Sequence, residues 1–253
     1  MNKLALYLLI LLLSACAATP QGEEDETRDW TAEKFFQEAK EALNQGAFQE
    51  AIELFNKLEA RFPFGRYAQQ AQLETAYAYF KYDEPKSAIS EANRFIKLNP
   101  RHVNVDYAYY LRGLASFTES ATELEQTLGK NPADIDAGKA RQAFDYFKEL
   151  VQNFPRSRYA RDSQQRMIYL RELLAKNELR AAQYYYDAHA YVAASNRAKY
   201  VIEHYQETHA IVDAMRLLVK SYQKLKLEDL AKDVQRVLEL NTRQDKAEAG
   251  NKI

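Results

Sequence analysis

Cys16 is the only cysteine in the chain, and the residues before it prescribe a reaction for its thiol. Leu13-Ser14-Ala15 sets an aliphatic residue and two small ones ahead of it, a shape that fits a signal peptidase. Upstream, Leu4 to Leu13 is almost unbroken aliphatic behind the lone positive charge of Lys3, which reads as an export signal over residues 1–15. That run is too short to span a bilayer as a mature helix. Cleavage before Cys16 would make it the new N-terminus. A free cysteine is more often a small core residue, but one inside an export signal cannot join a core. Other reactive arrangements are missing: the sequence holds no phosphate-cradling glycine loop, no Gly-x-Ser-x-Gly, no His-Glu-x-x-His and no second cysteine for a metal knuckle. His102, His189, His204 and His209 are scattered and fall at turns or helix ends, as surface residues do. No catalytic residue, metal site or cofactor is expected, and the chain reads as non-enzymatic.

Leu13-Ser14-Ala15-Cys16 looks like a bacterial lipobox. That likeness implies acyl chains on Cys16, and at about 0.8 kcal/mol per buried CH₂ three of them anchor a protein in effect permanently. By the sorting rule of enterobacterial lipoproteins, Ala17 in place of Asp after the cysteine implies delivery to the outer membrane, with the body of the chain facing the periplasm. The sole thiol being acylated, no disulfide is left, and the fold must rest on packing. Composition agrees with such a fold: 47% hydrophobic and 28% charged residues, with only 7 Gly and 6 Pro, describe long helices and few tight turns. The predicted class is all-α. Removing residues 1–15 takes away Lys3 and no acid, so 34 basic residues face 36 acidic ones in the mature chain. That balance gives no electrostatic reason to expect nucleic acid as a partner.

The elements that would carry binding lie further on. Residues 17–29 hold five acids against Arg28 and lack apolar periodicity, so residues 16–30 are expected to be a lipidated, flexible acidic tether. Its extended reach is about 40 Å at roughly 3.3 Å per residue. From residue 31 to 240 the sequence repeats. Ala39, Gly46, Phe48, Ala51, Phe55, Leu58 and Pro63 match the tetratricopeptide spacing, in which small residues let two antiparallel helices cross closely, Gly ends the first and Pro stops the second. Ala51 to Ala88, Pro63 to Pro100 and Ala194 to Ala231 are each 37 positions apart. Five helix pairs follow, near 32–65, 69–102, 106–155, 175–206 and 210–241. The third is split by an insertion, roughly Glu119 to Gly138, that reads as an exposed loop. Residues 241–253 read as a polar, frayed tail. The joints repeat too: Phe62-Pro63-Phe64-Gly65-Arg66-Tyr67-Ala68 parallels Phe154-Pro155-Arg156-Ser157-Arg158-Tyr159-Ala160.

A helical solenoid offers a concave groove lined by the first helix of each pair. Transferring the usual groove positions, the first pair presents Phe36, Lys40, Leu43 and Asn44, and the second Leu73, Tyr77, Phe80 and Lys81. The third presents Tyr107, Tyr110, Leu114 and Phe117 with Arg112 nearby. Rings with a few cations suit a short extended peptide bearing aromatic side chains and a free carboxylate. Tyr and Phe also fill seams between repeats, so any one ring has an equal claim to be core.

Several segments go beyond the generic repeat: the lipobox, Arg61-Phe62-Pro63-Phe64-Gly65, Tyr107-Ala108-Tyr109-Tyr110-Leu111-Arg112-Gly113-Leu114 and Ala193-Ala194-Ser195-Asn196-Arg197. Together they resemble the BamD family, lipoprotein subunits of the outer membrane β-barrel assembly machine, over essentially the whole mature chain. The resemblance implies that the N-terminal repeats recognise the aromatic C-terminal signal of unfolded barrel proteins. It also implies that the C-terminal repeats dock on the periplasmic domains of a BamA-like barrel subunit, with accessory lipoproteins alongside. Docking candidates by this likeness are Arg197, Tyr184 and Tyr185. Gln206 departs from the pattern, standing where a proline is expected after Tyr205. Two alternatives share the helical theme: a pilotin for a secretin, and a scaffold for peptidoglycan synthesis.

Overall fold

The computed structural model describes residues 26–125 and 136–250. The expected export signal, Cys16 and residues 17–25 of the expected tether lie outside the described residues, as do residues 126–135 of the expected insertion and 251–253 of the expected tail. Within them are ten helices and no strand, as the composition predicted: α1 (Ala32–Gln45), α2 (Phe48–Arg61), α3 (Arg66–Lys81), α4 (Pro85–Leu98), α5 (Val105–Glu125), α6 (Ala137–Asn153), α7 (Ala160–Asp187), α8 (Tyr191–His204), α9 (Ala210–Lys224) and α10 (Glu228–Gly250). None of these is long and apolar enough to cross a membrane. Each helix lies against the next, and first helices of neighbouring pairs also touch, α1 with α3, α3 with α5 and α7 with α9. That is the layout of a solenoid, with odd-numbered helices forming one wall.

Local chemistry fixes the helix ends. Thr31 caps α1 by accepting the Lys34 N–H at 3.2 Å, Asp136 caps α6 through the Gly138 N–H at 2.8 Å, and Pro85 opens α4 where its missing N–H costs nothing. In four of the turns joining a first helix to its second, one residue takes a left-handed conformation: Gly46 at φ 80°, and Asp83, His189 and Lys226 at 61°. Each is followed by an N–H that reaches five residues back, Ala47 to the Ala42 carbonyl, Glu84 to Tyr79, Ala190 to Tyr185 and Leu227 to Tyr222, at 2.9 Å in every case. This closes the helix ends as a Schellman motif does. The second helices stop identically, with Phe62, Asn99, Phe154 and Tyr205 donating to the carbonyls of Leu58, Phe95, Leu150 and Val201.

The seams hold the fold. Ala39, Ala51, Ala76, Ala88, Ala143 and Ala194 are fully buried, and Phe35, Phe55, Phe95 and Phe147 fill the space that these small residues leave. Burying each such ring contributes about 1.5–3 kcal/mol. Gly113 takes the small-residue position of the third pair: a Cβ there would come within 2.6 Å of the Phe147 ring.

Four boundaries differ from the sequence expectation. Helix α5 continues through Glu125, so Glu119 to Glu125 extends a helix rather than opening a loop, and Gly138 sits in the first turn of α6. The fourth pair starts at Ala160 rather than near 175, because no Gly or Pro interrupts residues 160–187. Helix α10 runs on through residues 241–250, which are therefore helical rather than a tail. The end of the tether is pinned: Thr27 is buried, and the Arg61 guanidinium donates to its carbonyl and, at 3.1 Å, to that of Arg28. At Gln206 the missing proline is replaced by other means. Glu207 adopts φ 66° and the Thr208 hydroxyl donates to the Tyr205 carbonyl at 2.7 Å, closing the turn into α9.

Candidate binding groove and docking face

Along the wall formed by α1, α3 and α5 the rings form a series. Phe36 lies 5.6 Å from Tyr67, Tyr107 is 5.4 Å from Tyr159, and Tyr110 stacks on Tyr159 at 4.6 Å and 16°. Phe117 meets Tyr169 edge-on at 5.9 Å. Between the first two repeats Lys40 pairs with Glu74 at 3.0 Å. Such ring pairs contribute about 0.5–1.5 kcal/mol beyond their burial and leave faces for a further ring.

Tyr67 and Tyr159 were not expected in the groove, although the repeated joint was the signal for them. Each stands at the start of a first helix and leans against a ring of the preceding one, and each carries the guanidinium of the residue before it, Arg66 at 4.7 Å and Arg158 at 4.8 Å. The Arg-Tyr-Ala of the joint is therefore a cation-capped aromatic rung. Beside the second rung opens a cavity of about 600 Å³ lined in part by Glu74, Asn104, Tyr107, Arg156, Arg158 and Tyr159. Ser157 ties its floor, donating to Asp106 at 2.7 Å.

The electrostatics of this wall are settled by burial and hydrogen bonds. Desolvation raises the Tyr107 hydroxyl far above the ordinary tyrosine value, keeping it protonated and able to donate. Tyr110 is raised by burial too, and by its hydrogen bond to Asp162 at 2.8 Å. For Asp162, burial opposes ionisation, but the bonds from Arg166, at 2.6 Å, and from Tyr110 outweigh it and hold the carboxyl below its usual value. No group of His, Cys, Asp and Glu able to hold a metal ion occurs among the described residues.

The structure distributes the expected groove residues unevenly. Phe36, Lys40, Tyr77, Tyr107, Tyr110, Leu114 and Phe117 are half-buried, and Asn44 and Lys81 are exposed. Leu43 and Leu73 are buried at 5% and 7% exposure and belong to core clusters, and Phe80 packs on the Ala76–Ala92–Leu111 seam. Arg112 is a correction. It is buried between α4 and α6, bonded to Asn93 at 2.9 Å and paired with Glu149, its guanidinium between the rings of Tyr109 and Tyr146. Residues 110, 114 and 117 share one helix face, whereas residue 112, two positions from Tyr110, points to nearly the opposite side. Of the docking candidates, Tyr184 is 70% exposed and meets the half-buried Tyr185 edge-on at 5.8 Å. Arg197, exposed on α8, is held by Glu178 of α7 at 2.9 Å.

A family model described as outer membrane lipoprotein, YfiO, matches residues 28–238, most of the chain. An outer membrane protein assembly factor BamD from Neisseria gonorrhoeae is 43% identical over 244 residues, 95% of this chain and 91% of its own. The BamD of Vibrio cholerae is 33% identical over 92% of this chain and 95% of its own. The chain belongs to this outer membrane lipoprotein family. The ring series on α1, α3 and α5 and the exposed α7–α8 edge lie on different helices of one continuous run of contacting helices.

Proposed function

We propose that this chain is a non-catalytic subunit of the machinery that assembles β-barrel proteins in the outer membrane. Membership of a family whose relatives are named outer membrane protein assembly factors carries the reading. Acylated Cys16 holds the chain to the membrane and the helical array faces the periplasm. Unfolded barrel precursors enter the groove of α1, α3 and α5, where Phe36, Tyr67, Tyr107 and Tyr159 offer faces to aromatic side chains. Arg156 and Arg158, both exposed beside the cavity, suit a terminal carboxylate. The α7–α8 edge around Arg197, with Tyr184 and Tyr185, docks on the periplasmic domains of the barrel subunit, and accessory lipoproteins bind alongside. An extended client in such a groove gains from several modest ring contacts, which favours many clients over one.

The test is affinity purification of tagged, full-length protein from detergent-solubilised outer membrane, with mass spectrometry of what accompanies it. Recovery of a large barrel protein with repeated periplasmic domains, and loss of that protein from an Arg197→Glu sample, are expected. Recovery of a secretin or of murein synthases without such a barrel overturns the reading.

A further inference from the structure

Two apolar side chains stand in solvent at the end of the array where the tether joins it. Phe64 is 91% and Val103 86% exposed, more than any other large hydrophobic residue described, and Leu98 at the end of α4 is 57% exposed. Phe64 lies in the joint between α2 and α3, and Val103 in the joint between α4 and α5. Neighbouring helices touch and short turns reverse the chain between them, so the start of α1 and these two joints share one end of the array. The tether reaches the same end: Arg61, the last residue of α2, donates to the carbonyls of Thr27 and, at 3.1 Å, Arg28. The later joints differ. Phe154 is half-buried, Tyr205 is buried, and Glu207 brings a negative charge. Exposed large apolar side chains on this edge are therefore confined to the part nearest the tether.

Chemistry and tether length say what covers them. Lys97 and Arg101 are exposed next to Leu98 and Val103, and neither enters an ion pair among the described residues. Asp106, the carboxylate of that joint, is already engaged, accepting the Ser157 hydroxyl at 2.7 Å and the Tyr107 N–H at 2.9 Å. Apolar tips beside cations fit the boundary between lipid headgroups and acyl chains, where rings and aliphatic groups enter and cations reach phosphate. Glu23, Glu24, Asp25 and Glu26 on the tether oppose a strongly anionic surface, so the apolar side chains rather than charge must set the contact. Two such side chains bind weakly by themselves. From Cys16 to Thr27, however, the chain spans at most about 36 Å at roughly 3.3 Å per residue, and a short flexible link raises the effective concentration to the millimolar range. A weak contact is then populated. The opposite end of the helices, about 24 Å away along the 16 residues of α3, stands clear of the surface.

We propose that the edge carrying Phe64 and Val103 rests on the membrane, its two apolar side chains entering the headgroup region of the leaflet that holds the acyl anchor. The proposal rests on acylation of Cys16, and it leaves the sides of α1, α3 and α5, where the ring series lies, open to clients. The test uses full-length lipidated protein in vesicles of phosphatidylethanolamine with a minor share of phosphatidylglycerol, part of the lipid brominated on its acyl chains as a contact quencher. Trp30 is the only tryptophan, so Trp30→Phe/Phe64→Trp moves the sole reporter to this edge, and Trp30→Phe/Tyr82→Trp moves it to the turn at the other end of α3. At position 64 the emission should shift to the blue and fall by about twofold or more with brominated lipid, and at position 82 it should not change. Adding Val103→Asp should remove at least half of the quenching at position 64. Flotation with the vesicles and the mass of the N-terminal peptide read anchoring separately. Protein that floats with an unquenched reporter at position 64, equal quenching at positions 64 and 82, or quenching indifferent to Val103→Asp would overturn the membrane contact and leave the anchor standing. Protein that neither floats nor is quenched overturns both. A reporter at position 64 that responds to a Phe-terminated peptide and not to lipid also overturns the contact and gives the edge to clients.

Discussion

Gly113→Ala sets a local preference against a packing constraint. Ala is the better helix former by about 1 kcal/mol, so in an open helix the substitution stabilises. Here the added carbon meets the Phe147 ring at 2.6, 2.7 and 3.1 Å, closer than carbons tolerate. The ring cannot swing aside easily: Phe147 is fully buried, with Tyr110 at 6.3 Å, Phe117 at 6.4 Å and the Arg166 guanidinium over it at 6.0 Å. Overpacking of this kind costs about 1–3 kcal/mol. Since every partner that must yield is itself held, the upper part of that range applies, for a net destabilisation of about 1–2 kcal/mol after the helix-propensity gain. For a chain of this size each kcal/mol lowers Tm by about 2–4 °C. A circular dichroism melt of Gly113→Ala against the parent checks the sign. Gly113→Ala/Phe147→Leu, which removes the ring atoms in the way, should be less destabilised than the sum of the single changes. A Tm for Gly113→Ala above that of the parent would refute the reasoning, because propensity would then have won. Because Tyr110 and Phe117 rest on the same ring, the single variant should also weaken peptide binding in the groove.

The left-handed turns give a second test: Asp83→Gly, His189→Gly and Lys226→Gly should each raise stability by about 1 kcal/mol, and Gly46→Ala should lower it by a similar amount, measured by chemical denaturation. In the groove, Tyr159→Ala should weaken binding of a Phe-terminated peptide about tenfold while Tyr159→Phe keeps most of it, since the stacked face matters more than the hydroxyl; isothermal titration reads both. The Arg94 guanidinium donates to both oxygens of Glu59, one bond at 2.7 Å, and this holds the Glu59 carboxyl below its usual value. A depressed carboxyl contributes stability that is fully present above the ordinary glutamate range and is lost as pH falls through the lowered value. Glu59→Gln should therefore flatten the acid limb of a stability-versus-pH profile and leave its alkaline limb unchanged.

Much of the fold was legible because its determinants are local and repeated. Alanines and prolines 37 positions apart mark where helices cross and stop, and Gly46 marks the first turn with a residue that suits it. The equivalent turns were harder to see, since Asp83, His189 and Lys226 adopt the same conformation without glycine, at a strain that only the closed turn explains. The length of α7 was missed because nothing marks its start except the absence of a breaker between residues 160 and 187. Along the α1–α3–α5 wall, a transferred position list included Phe36, Tyr107 and Tyr110 of the ring series but not Tyr67 or Tyr159, whose place depends on how a joint folds back over the previous helix. Arg112 misled by proximity: near Tyr110 in sequence, it lies on the other face of the same helix.

In the proposed function one array uses its α1–α3–α5 groove for clients and its α7–α8 edge for the barrel subunit. A photo-crosslinking amino acid placed at Tyr107 and, separately, at Arg197 in living cells tests it most directly. Adducts with many unfolded barrel proteins at residue 107, and with one large barrel protein bearing periplasmic domains at residue 197, are predicted. The same single partner at both positions, or clients at residue 197 and none at residue 107, would contradict it.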